Sequence, residues 1–350
     1  MLTIVLIAAL QAAPGPALTG PSSSELLKLG EALVQRGDGK KGQVQLEKVL
    51  ADETLTAAER ARGEQALGLA LLQQKKIPDA LPHLQKATTL APTSEKAWLY
   101  LGLARDQQGD TSGSLDAYRE GVAAVPKSIG LQHELGMALL STGKNDEGAD
   151  VLSKAAAKAE YDGELMADAA YALTLVGKFK EAREHASRAV EMSPDSPDAL
   201  FVLGTAEAGL GNLKQAKQAW VDAIDSDETH VPALFQLGLL LQQQKDDAGA
   251  VARFQRVLQV EAGHLRARAA LGTSLARLGS DDKKAESLLL STLQVDPKYA
   301  TGHALLAEVY ARQGKLKEAR RALETALKLK ADEPEWIQRL KSIDQELKKK

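Results

Sequence analysis

The sequence predicts an all-α fold made of repeated antiparallel helix pairs, and three observations support that prediction. The dipeptide Leu-Gly recurs at 101–102, 135–136, 203–204, 237–238 and 271–272, on a grid that steps by 34 residues. In most intervals a second glycine, the usual residue just past a helix, follows seven positions later. A small residue comes five or six positions after that. Fixed periods of this size are typical of stacked helical repeats.

The first helix of each interval contains the Leu-Gly glycine, which we number position eight. The residues at this position are Gly30, Gly68, Gly102, Gly136, Ala170, Gly204, Gly238, Gly272 and Ala307. A glycine inside a helix costs about 1 kcal/mol relative to alanine. We expect close backbone-to-backbone packing of the second helix to offset that cost. It would also bury neighbouring leucines at about 25 cal/mol per Å².

Each interval is therefore predicted to contain helix A, a glycine turn, helix B and a short link. The predicted units are 23–60, 61–94, 95–128, 129–162, 163–196, 197–230, 231–264, 265–299 and 300–333. The first unit carries four extra residues near Asp52–Thr56, and the eighth has one extra residue in its turn. Proline, which cannot continue a helix, closes four of the units.

The two ends of the chain differ from the repeats. Residues 334–350 are predicted to form a C-terminal capping helix whose apolar residues, Trp336, Leu340, Ile343 and Leu347, share one face. Residues 1–22 are predicted to be a signal peptide and short linker, because the apolar run at 2–10 is followed by small residues and then prolines. The run is shorter than the roughly 20 residues that span a bilayer. Cleavage is expected near Ala12 or Ala13. No Lys or Arg precedes the run, so an apolar segment packed on the first repeat is the alternative.

The 34-residue pattern resembles the tetratricopeptide repeat (TPR) family, with about nine tandem repeats. The third unit carries that family's signature residues at Trp98, Leu101, Gly102, Gly109, Asp110, Ser114, Tyr118, Gly121 and Pro126. The resemblance implies a right-handed superhelical solenoid of antiparallel helix pairs. It also implies a concave groove, lined by positions two, five, nine, twelve and thirteen of helix A, that binds a segment of a partner protein.

The resemblance places the candidate groove at positions five and nine of the middle units. These residues are Leu99, Leu103, His133, Met137, Tyr171, Phe201, Phe235 and Leu239. Apolar and aromatic anchors of this kind suit an extended or helical peptide. The alternative is that the same side chains fill the space between adjacent repeats, because one helix serves both purposes.

Composition argues against several other functions. The chain has no cysteine and a net charge of −3, which disfavours thiolate chemistry and a nucleic-acid backbone partner. The six histidines show no metal-ligand spacing. The Gly-x-Gly-x-x-Gly match at 37–42 follows a predicted helix, not the strand that a dinucleotide site requires. We therefore expect no catalytic residues, no cofactor, no metal and no small-molecule substrate.

The sequence thus predicts a non-catalytic scaffold that binds segments of partner proteins, in envelope assembly or secretion. It is expected to be exported, either periplasmic or secreted, with a cytoplasmic location as the alternative. A membrane-associated complex stays open, without a transmembrane span in the mature chain. The other functional alternatives are a subunit that self-assembles or supports an enzyme complex, and a cytoplasmic co-chaperone-like adaptor. The Lys and Asn set that family members use to grip chaperone tails does not occur in three consecutive units, which disfavours the adaptor.

Overall fold

The computed structural model describes residues 21–349, and all regular structure in that range is α-helical, with nineteen helices and no strand. The predicted signal peptide lies almost entirely outside the described residues. The chain divides into two compact units, which meet in sequence at residues 159 and 160. In the first unit the helices are α1 (Ser23–Gln35), α2 (Gly39–Leu50), α3 (Ala57–Gln73), α4 (Ile77–Leu90), α5 (Glu95–Gln107), α6 (Thr111–Ala124), α7 (Ile129–Ser141) and α8 (Asn145–Ala156).

The second unit contains the other eleven helices. They are α9 (Gly163–Leu175), α10 (Phe179–Met192), α11 (Pro197–Gly209), α12 (Leu213–Ser226), α13 (Val231–Gln243), α14 (Asp247–Val260), α15 (Leu265–Leu278), α16 (Asp282–Val295), α17 (Ala300–Arg312), α18 (Leu316–Leu329) and α19 (Pro334–Lys349). In both units the odd-numbered helices up to α17 are helix A of a pair and the even-numbered ones are helix B. The predicted all-α fold of packed helix pairs is confirmed.

The turn inside each pair contains one residue in the left-handed region. Glycine holds that place at Gly37, Gly109, Gly143, Gly177, Gly211, Gly279 and Gly314, with φ between 66° and 83°. Lys75 and Lys245 hold it in the other two pairs, with φ of 59° and 64°. Glycine adopts this conformation without the steric cost that a Cβ brings, which explains why the helix ends after this spacing.

Helix α3 begins four residues earlier than the repeat grid places it. The predicted second unit starts at 61, whereas the helix starts at Ala57. Thr56 and Glu59 form a capping box, in which each side chain accepts a hydrogen bond from the backbone N–H of the other residue. Helix α3 therefore has 17 residues where most helices A have 13, so the extra length lies in a helix A and not in the link near Asp52–Thr56.

The mid-helix glycines receive side chains from the partner helix. A Cβ at Gly102 would lie 2.3 Å from Cε1 of Tyr118, and one at Gly136 would lie 2.4 Å from Cγ of Leu152. The contact partner is thus the residue sixteen positions later, on helix B. This corrects the sequence-based reason for the glycine, because an inserted side chain, not backbone contact alone, needs the space.

The fifth repeat shows the same rule with different residues. Ala170 stands where seven of the nine repeats have glycine, and the residue sixteen positions later is Ala186 instead of a large side chain. The ninth repeat also has an alanine at this position, Ala307, but keeps a leucine, Leu323, sixteen positions later. Ala170 and Ala186 are both fully buried and pack with Val202. A methyl group on each helix therefore replaces the pairing of a glycine with a bulky residue.

Helix α19 packs on the last pair through its apolar face. Ile343 is fully buried, and Trp336, Leu340 and Leu347 lie against the same cluster. Nε of Arg339 lies 2.9 Å from Oε1 of Glu308 in α17. The helix thus covers apolar surface of α17 and α18 at the end of the repeat stack, as expected for a solenoid cap.

Candidate partner-binding surface

In the first unit, position nine of helix A presents apolar side chains to solvent. Leu103 on α5 is 39% exposed, and Met137 on α7 is 37% exposed. The two residues are one repeat apart, on consecutive helices A that contact each other. Large apolar side chains at matching positions of adjacent helices form a surface suited to apolar anchors of a bound peptide.

Position five of the first unit is only partly accessible. Leu99 and His133 are half-buried, and Leu99 packs against the hydrophobic core that α3 to α7 share. Each of these helices must bury one side to hold the stack together, so position five lies at the boundary between core and surface. Leu99 and His133 therefore offer less accessible side-chain surface than Leu103 and Met137 do.

In the second unit, α9 presents two exposed apolar residues. Tyr171 at position nine is 41% exposed, and Leu175 at position thirteen is 44% exposed. Leu175 was not among the residues named from the sequence, although position thirteen belongs to the groove positions that the family resemblance implies. Its helical spacing from Tyr171 was the available signal, since residues four apart share one face of a helix.

Two of the four phenylalanines of the second unit, Phe201 and Phe235, pack against the histidines that cap the next helix A. Phe235 is 7% exposed, with its ring centroid 5.8 Å from that of Phe254 and 5.0 Å from that of His264. Half-buried Phe201 has its ring centroid 5.4 Å from that of His230. Leu239 is also half-buried and packs against the same core. Phe235 is thus taken up by packing, Phe201 and Leu239 are half-buried, and Tyr171 and Leu175 are the exposed large apolar side chains of α9.

The histidines in the links cap helices instead of standing in solvent. Nδ1 of His230 accepts a hydrogen bond from the backbone N–H of Ala233 at 3.2 Å, and Nε2 lies 3.1 Å from Oδ1 of Asp198. His230 is 8% exposed. Nδ1 of His264 likewise accepts from the N–H of Ala267 at 3.1 Å. Because Nδ1 is the acceptor, the proton of each neutral ring is on Nε2.

Groups with perturbed protonation are scattered through the fold. Burial raises the pKa of Glu64 in α3, but hydrogen bonds from His83 and Lys86 outweigh burial and hold it below its usual value. Burial, assisted by the charge of Arg188, lowers the pKa of His185 in α10. Burial raises the pKa of Tyr118 in α6 to about 12.

Within residues 21–349 no cluster of three His, Asp or Glu side chains is arranged to hold a metal ion. In the same range no helix is long and apolar enough to cross a bilayer.

Comparison with protein families agrees with the repeat geometry. Three family models, each described as a tetratricopeptide repeat, match residues 53–221, 232–261 and 281–342. The chain belongs to the tetratricopeptide-repeat family. Its fold is that of a protein–protein interaction scaffold, and TPR domains bind proteins or peptides. No curated protein matches the chain.

Solved TPR structures resemble this chain in fold. YrrB, a TPR protein with an unusual peptide-binding site, aligns with a TM-score of 0.50 and 21% identity over 55% of this chain and 99% of its own. Cut9–Hcn1, an APC/C hetero-tetramer, gives 0.55 and 15% identity over 92% and 76%. The C-terminal part of a TPR protein from Cytophaga hutchinsonii gives 0.53 and 13% over 70% and 99%. Identities this low establish a shared fold only.

Proposed function

We propose that this TPR protein is a non-catalytic scaffold that binds an extended or helical segment of a partner protein along helices A. The observation that carries the proposal is the exposure of apolar side chains at position nine, on Leu103 and Met137 in the first unit and Tyr171 in the second. A large apolar side chain that stays 37–41% exposed at the same position in three repeats lies on a surface that the stack does not use for its own packing.

The surface around these anchors favours a peptide over a small molecule. Next to Leu103 and Met137 the helices carry half-buried Leu99 and His133 at position five, which add a further apolar side chain and an aromatic ring to the strip. Open strips with anchors at regular intervals match the side-chain repeat of a peptide. YrrB, whose fold this chain shares, is a TPR protein with a peptide-binding site, which is consistent with such a ligand.

Substitution of the position-nine residues tests the binding surface. Leu103→Asp with Met137→Asp in the full chain should reduce partner recovery at least tenfold in quantitative mass spectrometry of co-purified proteins, because a charge in an apolar anchor site must be desolvated. Val44→Asp, on helix B and 54% exposed, is the matched control and should leave recovery unchanged. Equal recovery by the double variant and the control would reject this surface.

For location, we propose export and a role in envelope assembly or secretion. The support is the apolar run at 2–10 followed by small residues, the order found in signal peptides. N-terminal sequencing of the mature protein from separated cell fractions tests this. A new N-terminus near residue 13 in the exported fraction is expected, whereas a chain that starts at Met1 in the cytoplasm would contradict export.

A further inference from the structure

The second unit separates its charges along the sequence. Residues 160–261 contain 9 Lys and Arg against 17 Asp and Glu, a net charge of −8. Residues 262–350 contain 18 Lys and Arg against 12 Asp and Glu, a net charge of +6. One copy of the chain therefore carries two surfaces of opposite charge, and such surfaces attract each other across copies at low ionic strength.

A small apolar pocket lies in the positive part, between the start of α15, the end of α16 and the residue before α17. Its volume is about 210 Å³, and its lining includes Leu265, Arg266, Arg268, Ala269, Val295 and Tyr299. Leu265 is 51% exposed and Val295 is 62% exposed. Ligand pockets for small molecules usually measure about 300–1,000 Å³, so this pocket is of a size to receive one side chain.

The two arginines at the pocket form no ion pair with a carboxylate in the described part of the chain. The guanidinium of Arg266 lies over the ring of Phe235, 5.1 Å from its centroid, and Nη2 of Arg268 donates to the carbonyl of Ala262 at 2.9 Å. One carboxylate, that of Asp296, also lines the pocket, and its Oδ1 accepts a hydrogen bond from the backbone N–H of Lys298 at 3.0 Å. The pocket thus has a net positive charge and an apolar floor.

A segment that complements this pocket, an aromatic ring between two carboxylates, lies on the same chain in the loop between α8 and α9. Tyr161 is 90% exposed, more than any other large apolar side chain in residues 21–349, and it stands between Glu160 and Asp162. Asp162 accepts the N–H of Leu165 as the cap of α9, which fixes the end of the loop. An aromatic ring flanked by two carboxylates matches a pocket of apolar side chains flanked by two guanidiniums.

We propose that the protein self-associates head to tail, with Tyr161 of one copy in the α15–α16 pocket of the next. Glu160 and Asp162 then lie beside Arg266 and Arg268. The two surfaces are different, so the contact is heterologous and leads to rings or open chains instead of a closed two-fold dimer. A single loop buries little area, which makes the association weak and salt-sensitive. The contact is separate from Leu103, Met137 and Tyr171, so it goes beyond the proposed partner binding.

Sedimentation velocity of the full chain, from micromolar to millimolar concentration, tests the contact. The wild-type chain should show a mean sedimentation coefficient that rises with concentration at low salt and returns to the monomer value near 1 M salt, where the screening length is about 3 Å. Tyr161→Ser should weaken association at least tenfold, since exposed aromatic anchors dominate such contacts. Val44→Ser should behave as wild type. A wild-type chain that is monomeric throughout, or an unchanged Tyr161→Ser variant, would overturn the proposal.

Charge reversal distinguishes this contact from other modes of association. Arg266→Glu with Arg268→Glu should abolish self-association, and so should Glu160→Lys with Asp162→Asn, in which asparagine keeps the cap of α9. Mixing the two variants should restore association, because the unchanged loop of the pocket variant then meets the unchanged pocket of the loop variant. Circular dichroism equal to wild type confirms that each variant is folded. A mixture that stays monomeric, or single variants that still associate, would contradict the assignment.

Discussion

Alanine substitution of Gly136 and of Leu152, alone and together, tests whether the mid-helix glycines exist to receive a side chain of helix B. A Cβ on residue 136 would lie 2.4 Å from Cγ of Leu152, where ordinary contacts are 3.4–4 Å. Leu152 is fully buried, so it has little room to move away. The natural precedent is the Ala170 and Ala186 pair of the fifth repeat.

The two single variants should both lose stability, for different reasons. Overpacking at Gly136→Ala costs about 1–3 kcal/mol, and the better helix propensity of alanine returns about 1 kcal/mol, so the net loss is about 0–2 kcal/mol. Leu152→Ala leaves a cavity and should cost about 2–5 kcal/mol. In the double variant the clash is absent and the new methyl group occupies part of the cavity. We therefore expect a favourable coupling energy of about 1–3 kcal/mol.

The measurement is chemical denaturation of the four proteins, analysed with a nearest-neighbour description because repeat arrays do not unfold in one step. Hydrogen exchange of the α7 and α8 amides reports whether the change is local. Gly136→Ala combined with Leu84→Ala, which lies in the second repeat, is the control and should be additive. Additivity within about 0.5 kcal/mol for the Gly136 and Leu152 pair would refute the side-chain explanation.

Three further predictions concern the turns, a buried phenol and a histidine cap. Lys245→Gly should raise the free energy of unfolding by about 0.5–1 kcal/mol, because the left-handed strain of about 1–2 kcal/mol that it removes at φ 64° exceeds the loss of about 0.4–1 kcal/mol from the greater entropy of the unfolded chain. A loss of stability in urea denaturation would contradict this. Burial raises the pKa of Tyr118 to about 12 in the folded chain, whereas the pKa of an unfolded tyrosine is about 10. The stability that the neutral phenol contributes is therefore fully present below pH 10, and roughly 2 kcal/mol of it is lost by pH 12. Tyr118→Phe should abolish that part of the alkaline loss, and an identical alkaline profile would exclude this role. His230→Ala should lower stability by about 1 kcal/mol through loss of the α13 cap, while His230→Asn, which can still accept from the N–H of Ala233, should lose less; equal melting temperatures for both would exclude capping.

The sequence by itself determined the family, the all-α fold of paired helices and the glycine turn that follows most helices A. These features depend on local preferences, which are visible without neighbours: left-handed glycine after each helix A, proline after some helices B, and apolar residues at helical spacing. The early start of α3 also has a local signal in the sequence, the Thr56 and Glu59 capping box, although the 34-residue spacing predicts a start four residues later.

The tertiary structure decided which candidate binding residues are accessible. Phe235 and Leu103 look alike in sequence as apolar residues on helix A. Phe235, however, is covered by His264 and Arg266 at the start of α15, whereas Leu103 stays 39% exposed. The same dependence buries His230, the cap of α13, and leaves Tyr161 90% exposed. Exposure is set by the size and position of side chains about one repeat away, and that information lies in the packing, not in the local pattern.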